Sequence, residues 1–168
     1  MKEQININYS MGTLMMDSVI ACRKTVHQNN AQEILDSLEI FISKNSLEKK
    51  SELINVTHGV ETCNEEVFLD LEVLVSVGDF ADKIIDVEGV RIIKKFILNN
   101  ALICHIKCSP LQLKNYNKEI EDYIVSNGFI AVTPGYLISR KPSDFIKPTD
   151  AMEFEIYIGL QTDEKNSL

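Results

Sequence analysis

The feature that most constrains the fold is an ordered repeat of sequence patterns in the two halves of the chain. Residues 70–77 and 153–160 both read acid, apolar, acid, apolar, any, apolar, small, apolar, and their separation is 153 − 70 = 83 residues. Each segment closes a series of strand, helix, strand and strand patterns. Because the order and the spacing recur together, the sequence predicts an internal duplication.

In the first half, a strand pattern at 14–26 precedes a helix pattern at 31–44, and two strand patterns follow at 54–61 and 67–77. The helix pattern carries a single apolar stripe at helical spacing. Asn30 and Glu33 have the spacing of a capping box, in which each satisfies free amide groups of the first turn. We therefore expect Asn30 to cap a helix that begins at Ala31.

The second half repeats the order, with a strand pattern at 101–107 and further strand patterns at 129–139 and 152–160. Between them, Ser109-Pro110 predicts a helix start and Asn127-Gly128 predicts its end. Pro134-Gly135 predicts a bend in the strand that contains it. Residues 90–96 read as an extra strand that turns at Asn99-Asn100 into the strand at 101.

These patterns predict an α+β fold: a pseudo-twofold tandem of two strand–helix–strand–strand units. The sheets are expected to be antiparallel, with both helices on one side and a groove on the other. The predicted organisation is a single domain over 1–168, with a first half-repeat at about 14–77 and a connection at 78–89. A second half-repeat at about 90–160 and a flexible tail at 161–168 complete it.

The charge and the apolar runs exclude several classes of partner. A net charge of −8 repels phosphate backbones and anionic lipid surfaces, so we expect neither nucleic acid nor a membrane as partner. No apolar run approaches the ~20 residues of a membrane span. The four cysteines form no CxxC pair and lie at no zinc-site spacing from histidine. We expect reduced thiols, no metal, no cofactor and a cytoplasmic protein.

The candidate site follows from alternation along the two matching strands. Successive side chains of a strand point to opposite faces. The acids Asp70 and Glu72, and likewise Glu153, Glu155 and Tyr157, should therefore face away from the helices. A carboxylate in a partly covered apolar groove attracts cationic or hydrogen-bond-donating ligands, and a tyrosine ring adds cation–π contact. The open alternative is that these acids lie on the solvated face of an antiparallel sheet.

Other candidate groups have simpler interpretations. Arg140-Lys141-Pro142 after a strand could receive an anion, but a solvated strand end is the favoured interpretation. His105 reads as a packed or hydrogen-bonded histidine. Cys104 or Cys108 as a nucleophile would need His105 as its base, but His105 points to the opposite strand face from Cys104.

Three segments carry a resemblance: Asn127-Gly128-Phe129, Glu155-Ile156-Tyr157-Ile158 and Asp70-Leu71-Glu72-Val73. They resemble the GyrI-like small-molecule-binding superfamily, which includes the effector-binding domains of BmrR-type multidrug regulators. The resemblance implies a ligand at the junction of two units and a stand-alone sensor. It also implies that Glu155, the acid before Ile-Tyr-Ile, contacts the ligand. Two departures are Cys108-Ser109-Pro110-Leu111 in place of a Gly-Pro-Tyr-type segment and the absence of tryptophan.

The favoured hypothesis is therefore a binding or sensing domain for a small molecule such as a hydrophobic cation, without catalysis. Its ligand would contact Glu155, Tyr157, Glu72, Glu153 and Asp70. One alternative is a hydrolase of reactive small molecules, in which Glu155 and Tyr157 act as a general-base pair. That role requires a raised pKa at Glu155. The other alternative is a protein-binding inhibitor or accessory protein. The oligomeric state stays open.

Overall fold

The computed structural model of the chain describes residues 5–80 and 84–161. The strands are β1 (Ile7–His27), β2 (Ile54–Cys63), β3 (Glu66–Ser76), β4 (Val90–Cys108), β5 (Ala131–Arg140) and β6 (Met152–Leu160). The helices are α1 (Gln32–Lys44) and α2 (Leu113–Ser126), and a short 3-10 turn (Gln28–Asn30) precedes α1. The predicted α+β class is confirmed.

Two compact units make up the chain. The N-terminal unit is Met15–Ile97, and the C-terminal unit is Met1–Leu14 together with Leu98–Leu168. The long strands β1 and β4 each contribute residues to both units. Neither helix in the described ranges is long and apolar enough to cross a membrane.

The N-terminal unit is an antiparallel sheet with β3 between β1 and β2, and α1 packs on one face of that sheet. The apolar stripe of α1 enters the core through Ile34, Leu38 and Phe41, which are almost fully buried. They meet alternate residues of the sheet, among them Val73 and Val75. The predicted division of β3 into an apolar helix-facing side and a side that carries the acids is confirmed here.

The C-terminal unit has a matching antiparallel sheet, with β6 between β4 and β5. Ile120 and Ile124 of α2 belong to the same core as Phe154, Ile156 and Ile158 of β6. The start of β1 adds to this core. The Tyr9 ring stacks on Tyr123 of α2, with 3.6 Å between the ring centroids. Both predicted helix-facing sides of the closing strands are therefore apolar and covered.

The predicted caps at the helix starts are wrong, although α1 begins within one residue of the predicted start, and the predicted end of α2 is confirmed. Asn30 lies in the 3-10 turn, and α1 begins after Ala31 without a side-chain cap. Ser109 lies in a turn before α2, where its backbone N–H and its hydroxyl both donate to Gln112 Oε1. This local pair satisfies the groups that a helix cap would have used. At the other end, Gly128 has a φ of +69°, the left-handed conformation that ends a helix.

The predicted turn at Asn99-Asn100 is also wrong, because β4 runs without interruption from Val90 to Cys108. Asn100 has a φ of +50°, and its side-chain amide donates to the Leu160 carbonyl oxygen. Asparagine tolerates this left-handed conformation better than most residues. The dipeptide therefore marks a distortion within a strand and not a reversal of the chain. The predicted bend at Pro134-Gly135 is confirmed by a shift in the β5–β6 register between Ala131 and Gly135.

The strand registers do not follow the predicted repeat at a single offset. Cys22 pairs with Val73 in one unit and Cys104 pairs with Ile156 in the other. Val73 and Ile156 are 83 residues apart, whereas Cys22 and Cys104 are 82 apart. An offset of 83 would carry Cys22 onto His105, but Cys22 is buried while His105 is exposed, so the strands β1 and β4 correspond at an offset of 82. A one-residue slip moves a side chain to the other face of a strand.

The units share the element order strand, helix, strand, strand. A twofold relationship between them stays a prediction. Within the predicted connection, residues 81–83 lie outside the described residues, and so does the predicted tail apart from Gln161.

Candidate functional site

The last strand presents three of the predicted site residues on one face. Glu153, Glu155 and Tyr157 alternate along β6 with Phe154 and Ile156, which are buried in the core of the C-terminal unit. Glu153 is exposed, whereas Glu155 and Tyr157 are half-buried. The alternation predicted from the sequence is confirmed for this strand.

Glu155 is held by neighbours on both of its carboxylate oxygens. An Arg140 guanidinium N–H donates to Oε1, and the Tyr157 hydroxyl donates to Oε2 over 2.9 Å. His105 Nδ1 lies 3.9 Å from Oε1. The Glu155 side chain is 15% exposed, and that of Arg140 is 38% exposed. The carboxylate is therefore shielded from water but already paired with a cation.

These contacts set the ionisation of the site. Burial raises the pKa of Glu155, but the hydrogen bonds from Arg140 and Tyr157 outweigh burial and hold that pKa below its ordinary value. Burial, and then the hydrogen bond to the Glu155 carboxylate, raise the pKa of Tyr157. Glu155 is thus a stable anion at neutral pH and a weak proton acceptor. A general-base role would require a raised pKa at Glu155, whereas its pKa is lowered.

Strand register explains how these side chains come together. In the sheet of the C-terminal unit, Lys107 of β4 and Arg140 of β5 lie on either side of Glu153 of β6. In the next row on the same face, His105 of β4 lies beside Glu155. Arg140 is therefore a diagonal neighbour of Glu155, within reach of a long side chain.

Two adjoining pockets open on this face. The first, here called the carboxylate pocket, has a volume of about 520 Å³ and is lined by Asn8, His105, Phe154 and Glu155 among others. The second, the loop pocket, has a volume of about 640 Å³ and extends beneath the β5–β6 loop. Lys107, Arg140 and Glu153 line both pockets. Tyr157 lines neither, and its hydroxyl acts on the site through Glu155.

The predicted site residues of the N-terminal unit are Asp70 and Glu72 of β3. Glu72 is only 4% exposed; Arg91 Nη2 donates to its Oε1 over 2.5 Å, and His58 Nε2 lies 2.6 Å from its Oε2. His58 is the extra residue of a bulge in the β2–β3 pairing, between Thr57 and Gly59. A bulge redirects one side chain of a strand, and here the His58 ring reaches Glu72.

Asp70 is paired at the surface of the same strand. Nε and Nη2 of Arg23 donate to its two oxygens over 3.0 and 2.7 Å. The hydrogen bonds from Arg23 hold the pKa of Asp70 below its ordinary value. Asp70 therefore has the two-pronged partner that arginine provides for a carboxylate.

Comparisons with known proteins identify the fold. No family model matches the chain, and no curated protein matches it. The crystal structure of the EcmrR C-terminal domain aligns with a TM-score of 0.67 at 14% identity, over 94% of this chain and 99% of that one. EcmrR in a DNA complex aligns with a TM-score of 0.68 at 14% identity, over 94% of this chain. This chain spans 58% of that EcmrR chain.

An uncharacterised conserved protein from Listeria innocua aligns with a TM-score of 0.62 at 9% identity, over 95% of this chain and 94% of that one. The fold implied by the sequence resemblance is confirmed. This chain has a GyrI-like fold.

Cysteine and metal chemistry have little support in the described part of this GyrI-like fold. Residues 5–80 and 84–161 contain no cluster of three or more His, Cys, Asp or Glu side chains that could hold a metal ion. All four cysteines are free thiols, and three of them are buried. Burial raises the pKa of Cys104 to about 12, so this thiol is a poor nucleophile at neutral pH.

The sequence interpretation missed the cations that complete each carboxylate site. Arg91 and His58 were assigned no role, and Arg140 was assigned only to an anion or a strand end. The sequence held a weak indication for Arg140. It is the last residue of β5, and the last residue of a strand in an antiparallel hairpin lies opposite the start of the next strand, here β6. No sequence signal pointed to His58, because its position depends on a bulge.

Proposed function

We propose that this chain is a small-molecule-binding domain and that the ligand occupies the carboxylate pocket against Glu155. The observation that carries the proposal is a shielded, ionised carboxylate beside a pocket of about 520 Å³. A pocket of this volume can hold a drug-sized molecule, and most of its lining residues are polar or charged. The resemblance to effector-binding domains points to the same acid.

A hydrophobic cation is the first ligand class to test. The ionised Glu155 offers a negative charge to this pocket, whereas the Phe154 side chain is buried in the core on the opposite face of β6. Such a ligand has to compete with Arg140, which already donates to the carboxylate. Arg140 is 38% exposed, so its guanidinium can be rehydrated at modest cost when it is displaced. Affinity for a cation should therefore depend on both residues.

The test is a thermal-shift screen of hydrophobic cations, amines and aromatic drugs against the wild type and Glu155→Gln. Each shift is measured from that variant's own unliganded midpoint. A ligand at 100 times its dissociation constant stabilises by ~2.7 kcal/mol, or roughly 5–10 °C for a chain of this length. We expect shifts in the wild type that Glu155→Gln loses.

Glu121→Gln is the matched control, because Glu121 is an exposed acid on α2 that lines neither pocket. It should keep every shift. Glu72→Gln and Asp70→Asn belong in the same screen, because both acids stay proposed ligand contacts. Equal shifts in the wild type and Glu155→Gln would contradict the proposed site. No shift with any compound would contradict the proposed function.

A further inference from the structure

The loop pocket has a charge pattern that the proposed function does not use. We infer that the loop pocket, together with the adjoining carboxylate pocket, takes a ligand that bears both an ammonium and a carboxylate group, as a free amino acid or a short peptide does. The inference rests on the proposed function and adds the class of ligand. Its anchors are Lys107 and Glu153.

Lys107 and Glu153 are opposite each other in the β4–β6 register and line both pockets. Both side chains are exposed, and within residues 5–80 and 84–161 neither has an ion pair. Directly opposed residues of antiparallel strands have Cβ atoms about 5 Å apart. The pocket floor therefore offers a cation and an anion side by side, each with its charged group available.

Three other charged groups of the loop pocket have partners, while Asp144 also lines it and has none among the described contacts. Asp150 Oδ2 accepts from the backbone N–H groups of Ile146 and Lys147, both over 2.9 Å, so it shapes the loop. Lys141 Nζ lies 5.1 Å from the centre of the Phe145 ring. Arg140 donates to Glu155. Asp144 lines only the loop pocket, so Lys107 and Glu153 are the directly opposed pair of opposite charges that both pockets offer to a ligand.

A ligand with a single charge would satisfy only one of these two groups. The ammonium group of a ligand bound to Glu153 would be repelled by the nearby Lys107. The carboxylate of a ligand bound to Lys107 would likewise be repelled by Glu153. A zwitterion satisfies both, because its own charges are separated by a similar short distance. The volumes of about 640 and 520 Å³ leave room for the side chain of an amino acid or for a second residue.

The experiment is isothermal titration of the whole chain with four matched probes: L-phenylalanine, phenethylamine, 3-phenylpropionate and the dipeptide Phe-Phe. We expect at least one zwitterion to bind roughly tenfold more tightly than either single-charge probe, since each charged contact adds a charge-assisted hydrogen bond. The amino acid and dipeptide arms distinguish the two sources of this chemistry. Lys107→Gln should reduce zwitterion affinity to the level of the amine, and Glu153→Gln to that of the acid.

Lys118→Gln removes the same charge from an exposed site on α2 that lines neither pocket, and it should leave every affinity unchanged. Both anchor positions are exposed, so the variants are expected to fold, and circular dichroism checks this. Binding of the amine or the acid as tightly as the zwitterions would overturn the inference while the proposed function survives. The inference would also be overturned if Lys107→Gln bound the zwitterions as tightly as the wild type does. If no probe binds but a hydrophobic cation from the screen does, the inference alone fails; if nothing binds, both fail.

Discussion

Glu72 of the N-terminal unit and Glu155 of the C-terminal unit occupy matching positions on the central strands β3 and β6, yet their surroundings differ. Glu72 is 4% exposed and has Arg91 and His58 as partners. Glu155 is 15% exposed and has Arg140, Tyr157 and, at 3.9 Å, His105. Each acid receives an arginine, but β4 supplies it in one unit and β5 in the other.

The difference in burial suggests that Glu72 has a structural role and that Glu155 is the carboxylate that a ligand can reach. A charge as buried as Glu72 is tolerable only when it is paired, so loss of a partner is expected to destabilise the fold. Partner exposure does not separate the two acids, because Arg91 is 60% exposed and Arg140 is 38% exposed. Glu155 is the more exposed carboxylate, and it borders a pocket of about 520 Å³, whereas the pocket that Glu72 lines is about 190 Å³. A ligand therefore has more room to replace a partner of Glu155. We therefore propose Glu155 as the main ligand contact and expect Glu72 to act mainly on stability.

The largest expected effect is on Glu72. Arg91→Met leaves the buried carboxylate with His58 alone, and we expect a loss of about 2–3 kcal/mol in the free energy of unfolding, measured by urea denaturation at pH 7. The double variant Arg91→Met/Glu72→Gln should recover at least half of that loss, because the unpaired charge is gone. A loss below about 0.5 kcal/mol for Arg91→Met would show that Glu72 does not depend on this pair.

The next effect tests the ionisation of Glu155. Its pKa is lower in the folded chain than in the unfolded chain, so its charged form stabilises the fold above about pH 4.3, and that contribution is lost as pH falls through the folded pKa. Glu155→Gln should cost about 1–2 kcal/mol at pH 7, because two hydrogen bonds to a charged acceptor are weakened.

The difference between the wild type and Glu155→Gln should shrink steadily in urea denaturations between pH 5 and about pH 3. Glu121→Gln again serves as the control for loss of one exposed acid. A difference that stays constant over this range would mean that the pairing with Arg140 does not lower the pKa of Glu155.

The sequence predicted the features that local patterns determine and missed those that depend on residues distant along the chain. The bounds of β6 agree with the predicted 152–160, because strict alternation of acids and apolar residues marks a half-covered strand. The helix-facing sides of β3 and β6 follow for the same reason. By contrast, Asn99-Asn100 looked like a turn only because turn propensity is a local signal, and sheet pairing across β4 overrode it.

The acids of the site were predictable, but their partners were not. Alternation alone was enough to assign Glu72 to the face of β3, and Glu155 to the face of β6, that points away from the helix. Arg91 is 19 residues from Glu72 along the chain, and Arg140 is 15 from Glu155, so each pairing depends on strand register. The bulge at His58 is a further long-range feature of the β2–β3 pairing. The sequence therefore led us to expect open carboxylates where the structure has ion pairs.

A smaller effect is expected at Tyr157, whose hydroxyl has no counterpart among the described contacts of Glu72. Tyr157→Phe removes one donor to Glu155 and keeps the ring, and we expect a loss of about 1 kcal/mol at pH 7. The variant should also raise the pKa of Glu155 and move the acid-side loss of stability to higher pH. If the variant and the wild type lose stability over the same acidic pH range, Arg140 alone sets the ionisation of Glu155.

The smallest effect is expected at the surface pair of Asp70 and Arg23, whose side chains are 31% and 49% exposed. Asp70→Asn should cost about 0.5 kcal/mol at low salt, because exposed ion pairs gain little over hydration. The cost should fall further at 1 M salt, where the Debye length is only ~3 Å. In urea denaturation, a loss above about 2 kcal/mol that is insensitive to salt would instead assign Asp70 to the buried class that Glu72 represents.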